Sequence, residues 1–131
     1  MAKILIVDDD YSIRELFKFT FQEAGHTVTL AKNGLDAIEK LKTGVPDFML
    51  LDISMPEMNG LEFVRAINQP DAPTQWRMIP FVIMTGENYM DVNLHYAFQK
   101  TPSCKSFMPK MEEREAILNM ATEILRSEGK A

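Results

Sequence analysis

The chain has one cysteine, Cys104, among its 131 residues, so it cannot form an internal disulfide. Folds stapled by disulfides are excluded, and a reducing, cytoplasmic location is the expectation. Long apolar runs are also missing. Stretches such as Ile4–Val7 and Phe48–Leu51 fall far short of a membrane span. Met1, Ala2 and Lys3 lead into acidic residues within the first ten positions, unlike a signal peptide. Nowhere do lysines and arginines gather into a patch, and the net charge is -5. Nonspecific nucleic-acid binding, which depends on displacing phosphate counterions, therefore has no footprint here. Internal repeats, linkers and low-complexity segments are absent, so residues 1–131 are expected to form one domain without an output domain.

What remains is an ordinary globular composition, 46% hydrophobic and 25% charged. Short apolar runs alternate with helical periods. Ile4–Val7, Thr27–Ala31, Phe48–Leu51, Phe81–Met84 and Lys105–Met108 read as strands. Three of them are continuously apolar, as strands covered on both faces are. Ile13, Leu16, Phe17, Phe21 and Ala24 share one helical face, with Ser12 and Glu15 as a capping box and Gly25 as the stop. Ala37, Ile38 and Leu41 mark a second helix, with Asn33 as N-cap and Gly44 as its end. Leu61, Val64 and Ile67 mark a third, opened by Gly60 and ended by Pro70. A fourth spans Asp91 to Lys100, and Ile117, Met120, Ala121 and Ile124 give the last. The segment from Asn68 to Pro80, with Trp76, reads as a surface loop. This βα alternation predicts an α/β fold with a doubly wound parallel sheet.

In such sheets the ligand site lies beyond the carboxyl ends of the strands. There this chain places Asp8, Asp9 and Asp10 after the first strand and Asp52 after the third. Thr85 and Gly86 follow the fourth strand, and Lys110 follows the fifth. Like charges about 4 Å apart cost roughly 4 kcal/mol per pair at an effective dielectric near 20. A hard divalent cation offsets that cost, and few protein oxygens plus water is the style of Mg²⁺. The loop after the first strand has no glycine and would repel a free phosphate. A carboxylate beside a cation, a hydroxyl and an ammonium is suited to attack a phosphoryl group as nucleophile.

The segments Ile4–Asp10, Leu50–Gly60, Ile83–Gly86 and Phe107–Lys110, in that order and spacing, resemble the receiver domain of two-component response regulators. The resemblance implies a sheet of order 2-1-3-4-5 flanked by five helices. It implies that Asp52 is the phosphoacceptor, forming an acyl phosphate. Asp9 would bind Mg²⁺ directly, Asp8 through a metal-bound water, and Ser54 through its backbone carbonyl. Thr85 and Lys110 would grip the phosphoryl oxygens, and Phe107 would be the switch aromatic. The donor would be a sensor histidine kinase or a histidine phosphotransfer protein. A downstream effector protein would bind the face formed by helix four, strand five and helix five. Neither nucleic acid nor membrane is a direct partner, and catalysis is limited to self-phosphotransfer and autodephosphorylation. Two departures stand out. Met111 follows Lys110 where the family usually has proline, with Pro109 one residue early. Thr101 to Cys104 replaces the usual small residues before strand five, so helix four and its following loop are expected to be atypical.

Other residues have plainer readings. Asp10 suits a helix start. His26 and His95 fit no metal-ligand spacing, and Cys104 suits a small buried position. The methionines suit core filling, with Met55, Met58 and Met111 near the site. Tyr89, Met90, Tyr96 and Phe98 default to core. Glu87 and Ser54 occupy positions that tune acyl-phosphate lifetime in the family. Two rival readings are a small haloacid-dehalogenase-type phosphatase with Asp8 as nucleophile and Asp10 as second acid, and a degenerate receiver that binds partners without phosphorylation.

Overall fold

The computed structural model describes residues 1–86, 92–99, 101–110 and 113–130. Glu87, Tyr89, Met90, Asp91, Lys100 and Met111, named above, lie outside them. Continuous apolar runs become strands β1 (Lys3–Val7), β3 (Phe48–Asp52) and β4 (Phe81–Thr85), and β3 and β4 are buried along their whole length. The edge strands β2 (Thr27–Ala31) and β5 (Cys104–Pro109) are more exposed and more polar. Among the described residues these five strands form one parallel sheet in the order β2-β1-β3-β4-β5.

Alternate side chains point to opposite faces of the sheet. Leu5, Val7, Met49, Leu51, Phe81 and Ile83 face one side, where α2 (Gly34–Thr43) and α3 (Gly60–Ile67) supply Ala37, Leu41, Phe63, Val64 and Ile67. Phe98 of α4 (Val92–Phe98) joins the same core. Ile4, Ile6, Phe48, Leu50, Val82 and Met84 face the other side. They meet Phe17 and Phe21 of α1 (Tyr11–Glu23) and Ile117, Ala121 and Leu125 of α5 (Arg114–Ser127). No helix among the described residues is long and apolar enough to cross a membrane.

Several local expectations are corrected. The cap of α1 is not the Ser12–Glu15 pair. Asp10 takes that place, and its carboxylate accepts the Ser12 and Ile13 N–H groups. An aspartate one residue before the helix accepts both orphan donors with less reach than a serine inside it. The capping box sits instead on α3, where Asn59 and Glu62 bond reciprocally. Leu16 lies off the buried face of α1, which centres on Phe17, Thr20 and Phe21, and Ala24 is the exposed C-cap beyond the helix. Tyr96 is 71% exposed rather than core, whereas its neighbour Phe98 is buried. The segment before β4 holds a short 3-10 helix, Thr74–Met78, and is not wholly irregular.

Candidate functional site

The sheet order reverses at β1, whose chain crosses first to β2 and then to β3. The crevice that this reversal opens lies beyond the ends of β1 and β3. Asp8 and Asp52 stand there, each only 3% exposed, and Thr85 is buried at the end of β4. Asp9 is exposed to solvent. Carboxylate oxygens from Asp8, Asp9 and Asp52 all lie within 4.8 Å of one another.

Lys110 comes from the far side of the sheet. Thr85 pairs with Pro109 at the end of the β4–β5 ladder, and the Lys110 N–H donates to the Thr85 carbonyl at 3.0 Å. That backbone placement sends the ammonium inward, 3.0 Å from Asp8 and 3.1 Å from Asp52. The Pro109-Lys110 order therefore still brings the lysine to both acids.

One ammonium cannot neutralise this cluster. Burial first, and then the charge of Asp8, push the Asp52 carboxyl up to about 6 from its ordinary 3.8, against the pull of Lys110. Burial also raises Asp8, although the Asp10 N–H and Lys110 bond to it. Lys110 itself is held above its ordinary value. Burial works against its charge, but the bond to Asp8 and the charges of both acids outweigh burial. Excess negative charge on hard oxygen donors, with Asp9 open to water, fits a Mg²⁺ ion that keeps part of its hydration shell.

The β3–α3 loop is shaped around Asp52. A Cβ on Gly60 would lie 2.3 Å from the Asp52 carbonyl oxygen, so only glycine fits there. The Gly60 N–H donates to the Ile53 carbonyl at 2.9 Å. Farther along, the Gly34 N–H at the start of α2 donates to the Met58 carbonyl at 2.9 Å, and Asn33 bonds Glu57 at 3.4 Å. Glu57 adopts a left-handed backbone, φ 68°. Ser54 is exposed on this loop, two residues after Asp52. Met55 is buried in the core and Met58 packs against Gly34.

Phe107 is half-buried on β5, in register with Ile83 of β4. Its ring stacks on His95 with centroids 4.1 Å apart and meets Phe98 edge-on at 5.7 Å. An open cavity of about 700 Å³ adjoins it. Cys104 lies half-buried at the start of β5, and burial raises its thiol to about 11, so it has no thiolate character.

Asp10 caps α1 and is no partner to Asp8 in a two-acid phosphatase motif. The sequence reading missed Arg14, whose Nη1 donates to the Asp8 carbonyl at 2.8 Å. It also missed the close approach at Gly60. The only sequence signal for Arg14 was its place one helical turn beyond Asp10.

A family model described as the response regulator receiver domain matches residues 4–126. Protein PilH of Pseudomonas aeruginosa is 33% identical over 127 residues, covering 95% of this chain and 98% of PilH. A solved structure of the chemotaxis protein CheY4 of Vibrio cholerae superposes with a TM-score of 0.84 at 30% identity, covering 95% of this chain and 99% of that one. The DNA-binding transcriptional regulator NtrC of Escherichia coli is 33% identical over 121 residues, 90% of this chain but 24% of NtrC. Among three of the longer relatives the chain spans from 16% to 34% of their length.

Proposed function

This chain belongs to the response-regulator receiver domain family, and from that premise we propose that Asp52 is the residue on which it takes a phosphoryl group. The observation that carries the reading is the Asp52 carboxylate itself. It is buried, beside Asp8 and Asp9 and 3.1 Å from the Lys110 ammonium. Asp8, Asp9, Asp52 and the Ser54 backbone carbonyl would hold Mg²⁺. When bound, the ion supplies positive charge to the transferring phosphoryl oxygens.

The residues divide the remaining work. An Asp52 carboxylate oxygen attacks phosphorus, forming a P–O bond as the P–N bond to the donor histidine breaks. The donor ring, protonated on its other nitrogen, takes the P–N electron pair and leaves as neutral imidazole. Lys110 moves from pairing with carboxylates to pairing with phosphoryl oxygens, and the Thr85 hydroxyl donates to another. Asp8 stays buried and orients Lys110. Hydrolysis of the acyl phosphate returns Asp52 to its carboxylate. The phosphoryl donor would be a sensor histidine kinase or a histidine phosphotransfer protein. Movement of Thr85 toward the phosphoryl group would vacate space for Phe107, altering the α4–β5–α5 face that an effector protein reads. The reading takes residues 1–131 as one receiver domain working in the cytoplasm.

The test is intact-protein mass after incubation with acetyl phosphate, with and without Mg²⁺, on the parent and on Asp52→Ala. The expected result is one phosphoryl group on the parent, dependent on Mg²⁺ and absent from the variant. An adduct that survives Asp52→Ala overturns the assignment. If no adduct accumulates, beryllofluoride separates the remaining cases. A Mg²⁺-dependent spectral change would mean a short-lived acyl phosphate, and none would mean a receiver that is not phosphorylated.

A further inference from the structure

The β1 ladder ends at Val7, yet the site needs the next two residues in fixed positions. Asp8 still donates its N–H to Ala31 at 3.1 Å, as if the strand continued. Its carbonyl has passed beyond the ladder. That carbonyl belongs to the peptide plane joining Asp8 to Asp9. Rotation of this plane swings the exposed Asp9 carboxylate relative to the buried Asp8 one.

Arg14 holds the plane. Its Nη1 donates to the Asp8 carbonyl at 2.8 Å from the first turn of α1. The helix is tied to the same loop independently, since the Asp10 N–H donates to Asp8 Oδ1 at 2.9 Å and Asp10 caps the helix. The guanidinium also lies 5.8 Å from the centre of the Tyr11 ring, which limits its swing. We infer that Arg14 is a positioning residue for divalent-cation binding, clamping the Asp8–Asp9 peptide so that both carboxylates converge. The inference rests on the reading that these acids bind Mg²⁺.

Simple charge reasoning predicts the opposite sign. Arg14 is a cation near a cation site, and removing it should tighten Mg²⁺ binding through lost repulsion. A clamp predicts weakening. Groups that orient metal ligands by hydrogen bonding typically change affinity by about 10–100-fold when lost.

Mg²⁺ affinity is measured calorimetrically on the parent, Arg14→Gln, Arg14→Lys and Arg14→Ala, with thermal unfolding in chelator to confirm folding. Kd is expected to rise about tenfold in Arg14→Ala and Arg14→Gln, and about threefold in Arg14→Lys, which keeps a charged donor. Acetyl phosphate labelling of Asp52 should return to within about twofold of the parent once Mg²⁺ saturates the variants, because the clamp acts on the cation's ligands. Unchanged or tighter binding in the folded variants overturns the inference while leaving the phosphoacceptor reading intact. If Arg14→Ala does not fold, the Gln and Lys variants decide it alone. A parent that binds no Mg²⁺ overturns both.

Discussion

The two ends of the β1–β5 span are built in opposite ways. At β1 and β3 every polar group of Asp8 is engaged. Its N–H goes to Ala31, its carbonyl to Arg14, and its carboxylate to Asp10 and Lys110. There β3 is buried throughout, and β1 is buried from Ile4 to Val7. At β5 only Met108 is buried, and the ladder with β4 skips Lys105 between Cys104 and Ser106. A half-buried ring, Phe107, rests on an exposed histidine beside an open cavity. The first region holds unfavourable charge in a rigid frame. The second holds ordinary apolar contacts in a loose one. Strain can be stored only where the surroundings over-determine a conformation, and a moving part needs few contacts to give up. The division suits a module in which chemistry happens at one place and its consequence is read at another.

The largest effect should come from relieving the charge. Asp52 takes up its proton near pH 6 in the folded chain but near 3.8 when unfolded. The folded state therefore binds more protons in that window, and stability falls as pH rises through it. Above about pH 6 the penalty is complete. Asp52→Asn removes it, and on the order of 2 kcal/mol of added stability is expected at pH 7.5. Urea unfolding in chelator reads this directly, and the gain should shrink as pH falls below 6 and vanish only below about pH 3, where Asp52 is largely protonated in either state. Mg²⁺ should stabilise the parent more at pH 7.5 than at pH 5. A variant less stable than its parent at pH 7.5 would mean that Lys110 outweighs burial and like charge, and the contrast between strained and relaxed regions would break.

Gly60→Ala tests the rigidity of the frame. The added methyl would meet the Asp52 carbonyl, which is main chain and cannot rotate away. A loss of about 1–3 kcal/mol is expected, as for other overpacked sites. The shift should extend to the Asp52 and Ile53 amides, read by nuclear magnetic resonance. A substitution tolerated without cost would show a loop that yields, and the frame would be less rigid than its bonds imply.

This glycine marks the limit of what could be read from sequence. β1, β3 and β4 were legible because burial on both faces requires unbroken apolar runs. Asp8, Asp9, Asp52, Thr85 and Lys110 were legible because strand ends in such a sheet converge, so position along the chain nearly fixes position in space. Gly60 looked like an ordinary helix opener, since its reason is a through-space approach to a carbonyl eight residues earlier. Arg14 was missed for the same cause, since its bond reaches back to the carbonyl of Asp8. Ser12 and Glu15 have the spacing of a capping box, but the choice between them and Asp10 turned on where the β1–α1 loop ends. Tyr96 and Phe98 are both aromatic and two apart on a helix, so composition could not say which one faces the core.

The smallest effect is expected at β5. The His95 ring covers one face of Phe107 at 4.1 Å with the planes 26° apart, while Phe98 meets it edge-on. Aromatic pairs contribute about 0.5–1.5 kcal/mol beyond burial, and His95 is exposed, so His95→Ala should cost about 0.5 kcal/mol or less. Its value lies in where the change is felt. Phe107 would lose the stack that holds its face, and its ring resonances should shift and broaden. The amides of Asp8, Asp9 and Asp52 should stay in place, because Asp8 is bonded to Ala31, Arg14, Asp10 and Lys110, and Asp52 to Lys110. Beryllofluoride should then move Phe107 further in the variant than in the parent if the stack opposes the switched position. Changes confined to β5 sharpen the division into a rigid charged end and a yielding aromatic one. Changes that spread to Asp8 without any phosphoryl mimic would show that the two ends are one unit, with His95 already part of the site's own equilibrium.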